Sequence, residues 1–223
     1  MTINRIIDLL AKEYGARQWH RHRDPISELV LTILSQNTSD TNTGRAFSSL
    51  FALFGSWEAV AEGKIEDIAQ AIKCGGLSRV KAARIKHILQ MILKENGGLD
   101  LAFLGELSVS QAKAWLERLP GVGPKTASCV LLFSLGQPAL PVDTHLYRVA
   151  KRVGVLDSRV SVERAHQILE GLVPAEKIYE FHLNMIEHGR RVCKARNPRC
   201  HECVLREGCP SGEEQWTEKG SRD

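Results

Sequence analysis

Four of the chain's six cysteines, Cys193, Cys200, Cys203 and Cys209, fall within 17 residues in the pattern C-x6-C-x2-C-x5-C. The stretch between them is rich in Arg, Lys, Glu, Asn and Pro, so it has little apolar material with which to hold itself together. A covalent or metal-based anchor is therefore required. The amino-terminal segment MTINRIIDLLAKEYGARQ has no uninterrupted apolar run, because Arg5, Asp8 and Lys12 break it. We therefore expect a soluble, cytoplasmic protein with no membrane span, in a compartment where clustered cysteines hold metal more often than each other. Structural zinc sites usually show two short cysteine knuckles, and this segment has one, so the spacing suits zinc poorly; four thiolates also satisfy a 4Fe-4S cluster. Cys74 and Cys129 stand apart and read as buried small apolar groups.

The rest of the chain reads as helix. Asp24-Pro25 followed by Ile26, Leu29, Val30, Ile33 and Leu34 supplies an N-cap, a first-turn proline and an apolar stripe in order. A second pattern ends at Leu50, Phe51 and Phe54 before Gly55. From Arg79 to Glu95 the apolar positions Val80, Ala83, Ile85, Ile88, Leu89, Ile92 and Leu93 make one broad face, closed by Gly97-Gly98. Further helices are predicted over 110–119, 125–135, 144–153, 162–172 and 175–188. GQPALP at 136–141 is the best internal break, and the polar tail after Pro210 has only Trp216 to bury.

Between two of these helices lies Leu119-Pro120-Gly121-Val122-Gly123-Pro124-Lys125. Two glycines allow a sharp reversal and a close approach to another backbone. The N–H groups of the helix that follows carry partial positive charge suited to a phosphate. An ordinary glycine-rich turn explains the glycines equally. Lys125 sits in the first turn, where the helix dipole disfavours a cation and should ease its deprotonation, which makes it a candidate amine nucleophile. A solvated lysine touching phosphate is the other reading. Asp143 stands where it would cap the helix beginning at Thr144.

Net charge sharpens the picture. The total is only +4, from 30 basic and 26 acidic residues. The segment His188–Cys209 alone contains six basic residues and two acidic ones, leaving the remainder balanced. Lys194, Arg196 and Arg199 lie between the first two cysteines, so a loop pinned at both ends would present them as a fixed row for phosphates. A solvated charge run is the plainer reading.

LPGVGPKTAS, VDTH at 142–145 and the four-cysteine pattern together resemble the endonuclease III family of DNA glycosylases, in order and spacing, over about residues 24–210. The resemblance implies an all-α, two-domain helix-hairpin-helix fold with the active site between domains. A helical barrel would occupy residues 26–135, an iron-sulphur cluster domain residues 1–25 and 136–210, and a polar tail 211–223. It implies that Gly121 and Gly123 grip DNA, that Lys125 attacks the sugar with Asp143 assisting, and that the four cysteines ligate a 4Fe-4S cluster. Two wedge loops are implied. One is at Leu34–Asp40, where either Gln36 or Asn37 enters the space left by the flipped base. The other is at Leu77, which parts the opposite strand; local sequence alone would make Gln36 and Asn37 a helix C-cap and Leu77 a core residue. His145 and Arg148, one turn apart, would extend the phosphate track of Lys194, Arg196 and Arg199.

The family's adenine-mismatch branch has a glutamate where Thr32 stands here and lacks the hairpin lysine, and its thymine-mismatch branch also departs from lysine there. The expectation is a monomeric, bifunctional glycosylase and AP lyase acting on damaged double-stranded DNA, removing oxidised or ring-saturated pyrimidines. The rival readings are a monofunctional mismatch or uracil-type glycosylase and a non-catalytic DNA-binding protein.

Overall fold

The computed structural model describes residues 1–212, so Trp216 and the greater part of the expected tail lie outside the described residues. Every regular element among those residues is helical. In chain order they are α1 (Ile3–Tyr14), α2 (Pro25–Ser35), α3 (Asp40–Phe54), α4 (Trp57–Glu62), α5 (Ile65–Ala71), α6 (Ser78–Asn96), α7 (Val109–Glu117), α8 (Pro124–Leu135), α9 (Thr144–Arg152), α10 (Val162–Leu172) and α11 (Ile178–Arg191), with short 3-10 turns between some of them. Polar side chains start most of these helices. Asp24 accepts from Ser27 N at 2.9 Å with Pro25 at the first helical position, and Ser39, Ser56 and Ser161 do the same for α3, α4 and α10. Ser108 and Gln111 form a reciprocal capping box on α7.

The chain divides into two compact units, His20–Gln137 and Met1–Trp19 together with Pro138 onward. In the first, α2 is the central helix, with Ile26, Leu29, Val30, Ile33 and Leu34 essentially inaccessible, and it packs along α8, whose residues 126–134 are all buried. α6 adds Ala82, Ile85, Ile88, Leu89 and Ile92 to that core. In the second unit α1 buries Ile6, Ile7 and Leu10 and packs on α11, which buries Ile178, Phe181 and Met185. α9 meets α11 at Gly189, where a Cβ would stand 2.9 Å from the Cβ of His145, so the helices approach as closely as their backbones allow.

Two expectations need correction, and two helices had none. On α6, Val80 is 55% exposed and Ala83 is exposed, while Lys81 is only 2% exposed: the buried face is rotated from the apolar pattern because Lys81 finds carbonyl acceptors inside. Cys74 is exposed in the 3-10 turn Lys73–Gly75, with its Sγ 3.8 Å from Asn42 O, whereas Cys129 is buried as expected. The short helices α4 and α5 carry too few turns to leave a periodic signal, although Ser56 marks the start of α4.

Candidate active site and metal centre

Lys125 occupies the second position of α8, half-buried, directly after a turn in which Gly121 adopts φ +75°. Val122, 6% exposed, anchors the tip of that turn, and its N–H donates to Leu119 O at 3.1 Å. Gly123 is the N-cap and contributes no side chain, so no side chain satisfies the first N–H groups of α8. These unsatisfied donors and the glycine-lined approach are what an anionic backbone requires. Within the same unit, α2 places Glu28 in the interior at 5% exposure. Burial pushes its carboxyl above the ordinary range, opposed by the charges of Arg23 and Lys125, and Arg23 Nη1 lies 3.6 Å from its Oε2. Thr32, at the position where one branch of the resembled family has glutamate, is buried.

The two expected wedge segments lie in this unit. Gln36 is the C-cap of α2; its Nε2 donates to Gly121 O at 3.3 Å and its Oε1 accepts from Arg84 Nη1 at 2.8 Å. Asn37 is exposed with φ +53°. Leu77 is 60% exposed with φ +49°, which overturns its reading as a core residue. Among the described residues, the non-glycine residues with positive φ are Asn37, Leu77 and Asn197. Each sits in a segment the sequence marks for DNA contact, and backbone strain of this kind, greatest for Leu, concentrates at functional loops.

In the other unit, Asp143 is the N-cap of α9, its Oδ1 accepting from Leu146 N at 2.7 Å. His145 and Arg148 follow, but Arg148 is turned inward. Its Nε donates to Cys193 O at 3.0 Å and its Nη2 to Gly189 O at 2.8 Å, with His145 Nδ1 3.1 Å from the same nitrogen. Arg148 thus braces the loop that begins at Cys193, in place of the phosphate role expected for it. Arg152 does the same one turn on, donating to Lys194 O at 2.6 Å and Ala195 O at 3.1 Å; sequence reasoning missed it because its acceptors are backbone atoms. Arg196 and Arg199 remain exposed on the loop and Lys194 is half-buried, with Arg199 also 3.5 Å from Glu202.

Cys193, Cys200, Cys203 and Cys209 line one cavity, together with Arg152, Val153 and His188. Burial and the nearby sulfurs of Cys193, Cys209 and Cys200 push the Cys203 thiol up to about 11, and burial likewise raises Cys209. Such a set can ionise together only around cationic metal. Its surroundings suit thiolates. Burial lowers His188 to about 4; its Nδ1 lies 2.9 Å from the Tyr14 hydroxyl and its Nε2 3.5 Å from Cys203 Sγ, so the tautomer with its proton on Nε2 would donate to a thiolate there. Arg152 Nη1 lies 3.5 Å from Cys193 Sγ. Among the described residues no three His, Cys, Asp or Glu side chains are set round a single ion, so the fit rests on the four-thiol donor set and its hydrogen-bond donors. The bound group would pin the basic loop at Cys193 and Cys200.

Comparison with known proteins agrees with this geometry. Residues 30–175 match the family model described as HhH-GPD superfamily base excision DNA repair protein, and residues 193–209, from the first cysteine to the last, match the iron-sulfur binding domain of endonuclease III. Endonuclease III of Thermotoga maritima is 37% identical over 92% of this chain and 92% of its own, and that of Escherichia coli strain K12 is 34% identical over 83% of each. A solved non-covalent endonuclease III–DNA complex superposes with a TM-score of 0.83 at 31% identity, covering 96% of this chain and 97% of that one. A thermostable thymine-DNA glycosylase shares the fold, with a TM-score of 0.81 at 23% identity. The cofactor is accordingly a 4Fe-4S cluster, and the matched iron-sulfur segment is the one that carries the four cysteines. With its helix-hairpin-helix unit, its cysteine centre and these relatives, the chain belongs to the endonuclease III family of base excision DNA repair glycosylases.

Proposed function

We propose that this protein is a bifunctional DNA glycosylase and AP lyase that excises oxidised or ring-saturated pyrimidines from duplex DNA. The observation that carries the reading is Lys125, an amine in the first turn of α8 immediately behind the glycine turn. Unprotonated Lys125 Nζ attacks C1′ of the damaged nucleoside, the bond from C1′ to the base nitrogen breaks, and the base leaves with its electron pair and is protonated. Positive charge spread over the sugar is stabilised by the Asp143 carboxylate, which also takes the proton lost from the attacking amine. Opening of the sugar gives an iminium between Nζ and C1′. This acidifies the C2′ proton, whose removal expels the 3′ phosphate and nicks the strand. One oxygen of Asp143 caps α9, which fixes the carboxylate without preventing this role.

In the same reading, Gly121, Gly123 and the N–H groups of α8 hold one stretch of phosphate backbone, and Lys194, Arg196 and Arg199 hold another. Asn37 fills the gap left by the everted base, since both amide ends of Gln36 are engaged within the protein, and Leu77 parts the opposite strand. When bound, the cluster supplies a rigid anchor for the basic loop.

The test is a panel of duplexes, each with one modified base, incubated with and without borohydride. The account expects release of oxidised pyrimidines with a nick 3′ to the site and a borohydride-trapped protein–DNA adduct. Excision without a nick or adduct would make the enzyme monofunctional, and no excision from any duplex would leave a DNA-binding protein.

A further inference from the structure

Three segments of the His20–Gln137 unit are implicated in DNA contact: the loop after α2, the turn leading into Leu77, and the glycine turn before α8. They are far apart in sequence, yet two side chains on one face of α6 fasten all three. Lys81, with 2% exposure, donates from its Nζ to Leu34 O at 2.7 Å, to Thr38 Oγ1 at 2.7 Å and to Gly75 O at 2.9 Å. An ammonium has three protons, and each has an acceptor from a different position in the two wedge loops. Thr38 Oγ1 also donates to Gly75 O, closing the ring. Three residues along, Arg84 donates to Gln36 Oε1, and the other end of that amide donates to Gly121 O. Arg84 lies against Gly121, its Cζ 2.6 Å from the place a Cβ would occupy.

We infer that Lys81 and Arg84 are positioning residues that lock the Asn37 loop, the Leu77 turn and the glycine hairpin into one preformed wedge, so that both wedge side chains enter the duplex together. The inference rests on the wedge roles given to Asn37 and Leu77 above. A buried lysine is a costly way to hold loops that only need packing, because burial disfavours its charge; the Lys81 ammonium is held below its ordinary range by burial and by the neighbouring Arg84. What the charge supplies is direction. Three fixed bonds set the loops at one separation, as apolar contacts would not, and preorganised contacts of this kind lower the cost of ordering at the moment of insertion.

The experiment compares wild type, Lys81→Met, Arg84→Met, Leu77→Ala and Asn37→Ala on two substrates. One is a duplex with a damaged pyrimidine, read as single-turnover excision and as fluorescence of 2-aminopurine beside the lesion. The other is an abasic site in a single-stranded oligonucleotide, read by borohydride trapping, where no opposite strand needs parting. Lys81→Met and Arg84→Met are expected to slow duplex excision about tenfold or more and to lose the fluorescence rise, with trapping unchanged within about twofold. Adding Lys81→Met to Leu77→Ala is expected to cost less than about twofold further, because the two act through one step. Unchanged duplex excision in Leu77→Ala and Asn37→Ala would refute the wedge reading itself. Slow excision in those two but wild-type excision in Lys81→Met and Arg84→Met would overturn the coupling alone, and so would an equal loss on both substrates. If Lys81→Met does not fold, Arg84→Met and the milder Thr38→Val carry the same comparison with the same two outcomes.

Discussion

The guanidinium of Arg84 fills the space beside Gly121 that a side chain there would need, with Cδ 2.8 Å and Cζ 2.6 Å from an ideal Cβ. Gly121 also has φ +75°, so any L-residue is strained there regardless of space. Gly121→Ala should therefore cost about 1–2 kcal/mol from backbone strain alone and should displace Arg84 from Gln36. Gly123 has an extended backbone and open space around its Cβ position, so Gly123→Ala should cost only the poorer N-cap preference of alanine, about 0.5–1 kcal/mol. Thermal melting of the two variants checks the order; equal losses would mean that the hairpin is looser than described.

Leu77 combines 60% exposure with a left-handed backbone. Leu77→Gly would relieve about 1–2 kcal/mol of strain against about 0.5–1 kcal/mol of added chain entropy. The variant should melt at or slightly above wild type while excising a duplex lesion about tenfold more slowly. Lower stability with unchanged excision would return Leu77 to a structural role.

Glu28 gives a pH test. Its buried carboxyl keeps a proton to higher pH than the ordinary value of 4.5, because burial outweighs the attraction of Arg23 and Lys125. The folded state thus binds more protons than the unfolded one between 4.5 and the raised value. Its contribution to stability is full below 4.5 and declines as pH rises through that window. Glu28→Gln carries no such loss, so its melting temperature relative to wild type should rise between about pH 4.5 and pH 8. A difference that falls across this range would contradict the sign.

The cluster loop can be tested by salt and by colour. Arg196→Ala should reduce the slope of log affinity for duplex DNA against log salt by about one, equally for damaged and undamaged sequences. Cys200→Ser should lose the visible thiolate-to-iron absorption and most of the bound iron, and should weaken DNA binding by releasing the loop that carries Arg196 and Arg199. Full iron content in Cys200→Ser would remove that residue from the ligand set.

Much of this site was legible in the sequence because its determinants are local. Asp24-Pro25, the Gly121–Lys125 turn and the cysteine spacing each describe their own surroundings, and the helices they start or stop are found within a residue or two. What escaped the sequence depends on acceptors supplied from elsewhere. Lys81 reads as a solvated helical lysine until Leu34, Thr38 and Gly75 bring oxygen atoms to it. Arg148 reads as a phosphate ligand, and Arg152 carries no signal at all, until the carbonyls of Gly189, Cys193 and Lys194 take their protons. The choice between Gln36 and Asn37 was undetermined for the same reason, since only tertiary contacts engage one amide and leave the other exposed.

The central claim is that Lys125 becomes covalently attached to the sugar. Borohydride reduction during turnover on a duplex with an oxidised pyrimidine, followed by proteolysis and mass spectrometry, should place the reduced sugar adduct on Lys125. Lys125→Ala should give no adduct while still binding the duplex. An adduct on another amine, or one of undiminished yield in Lys125→Ala, would contradict the account.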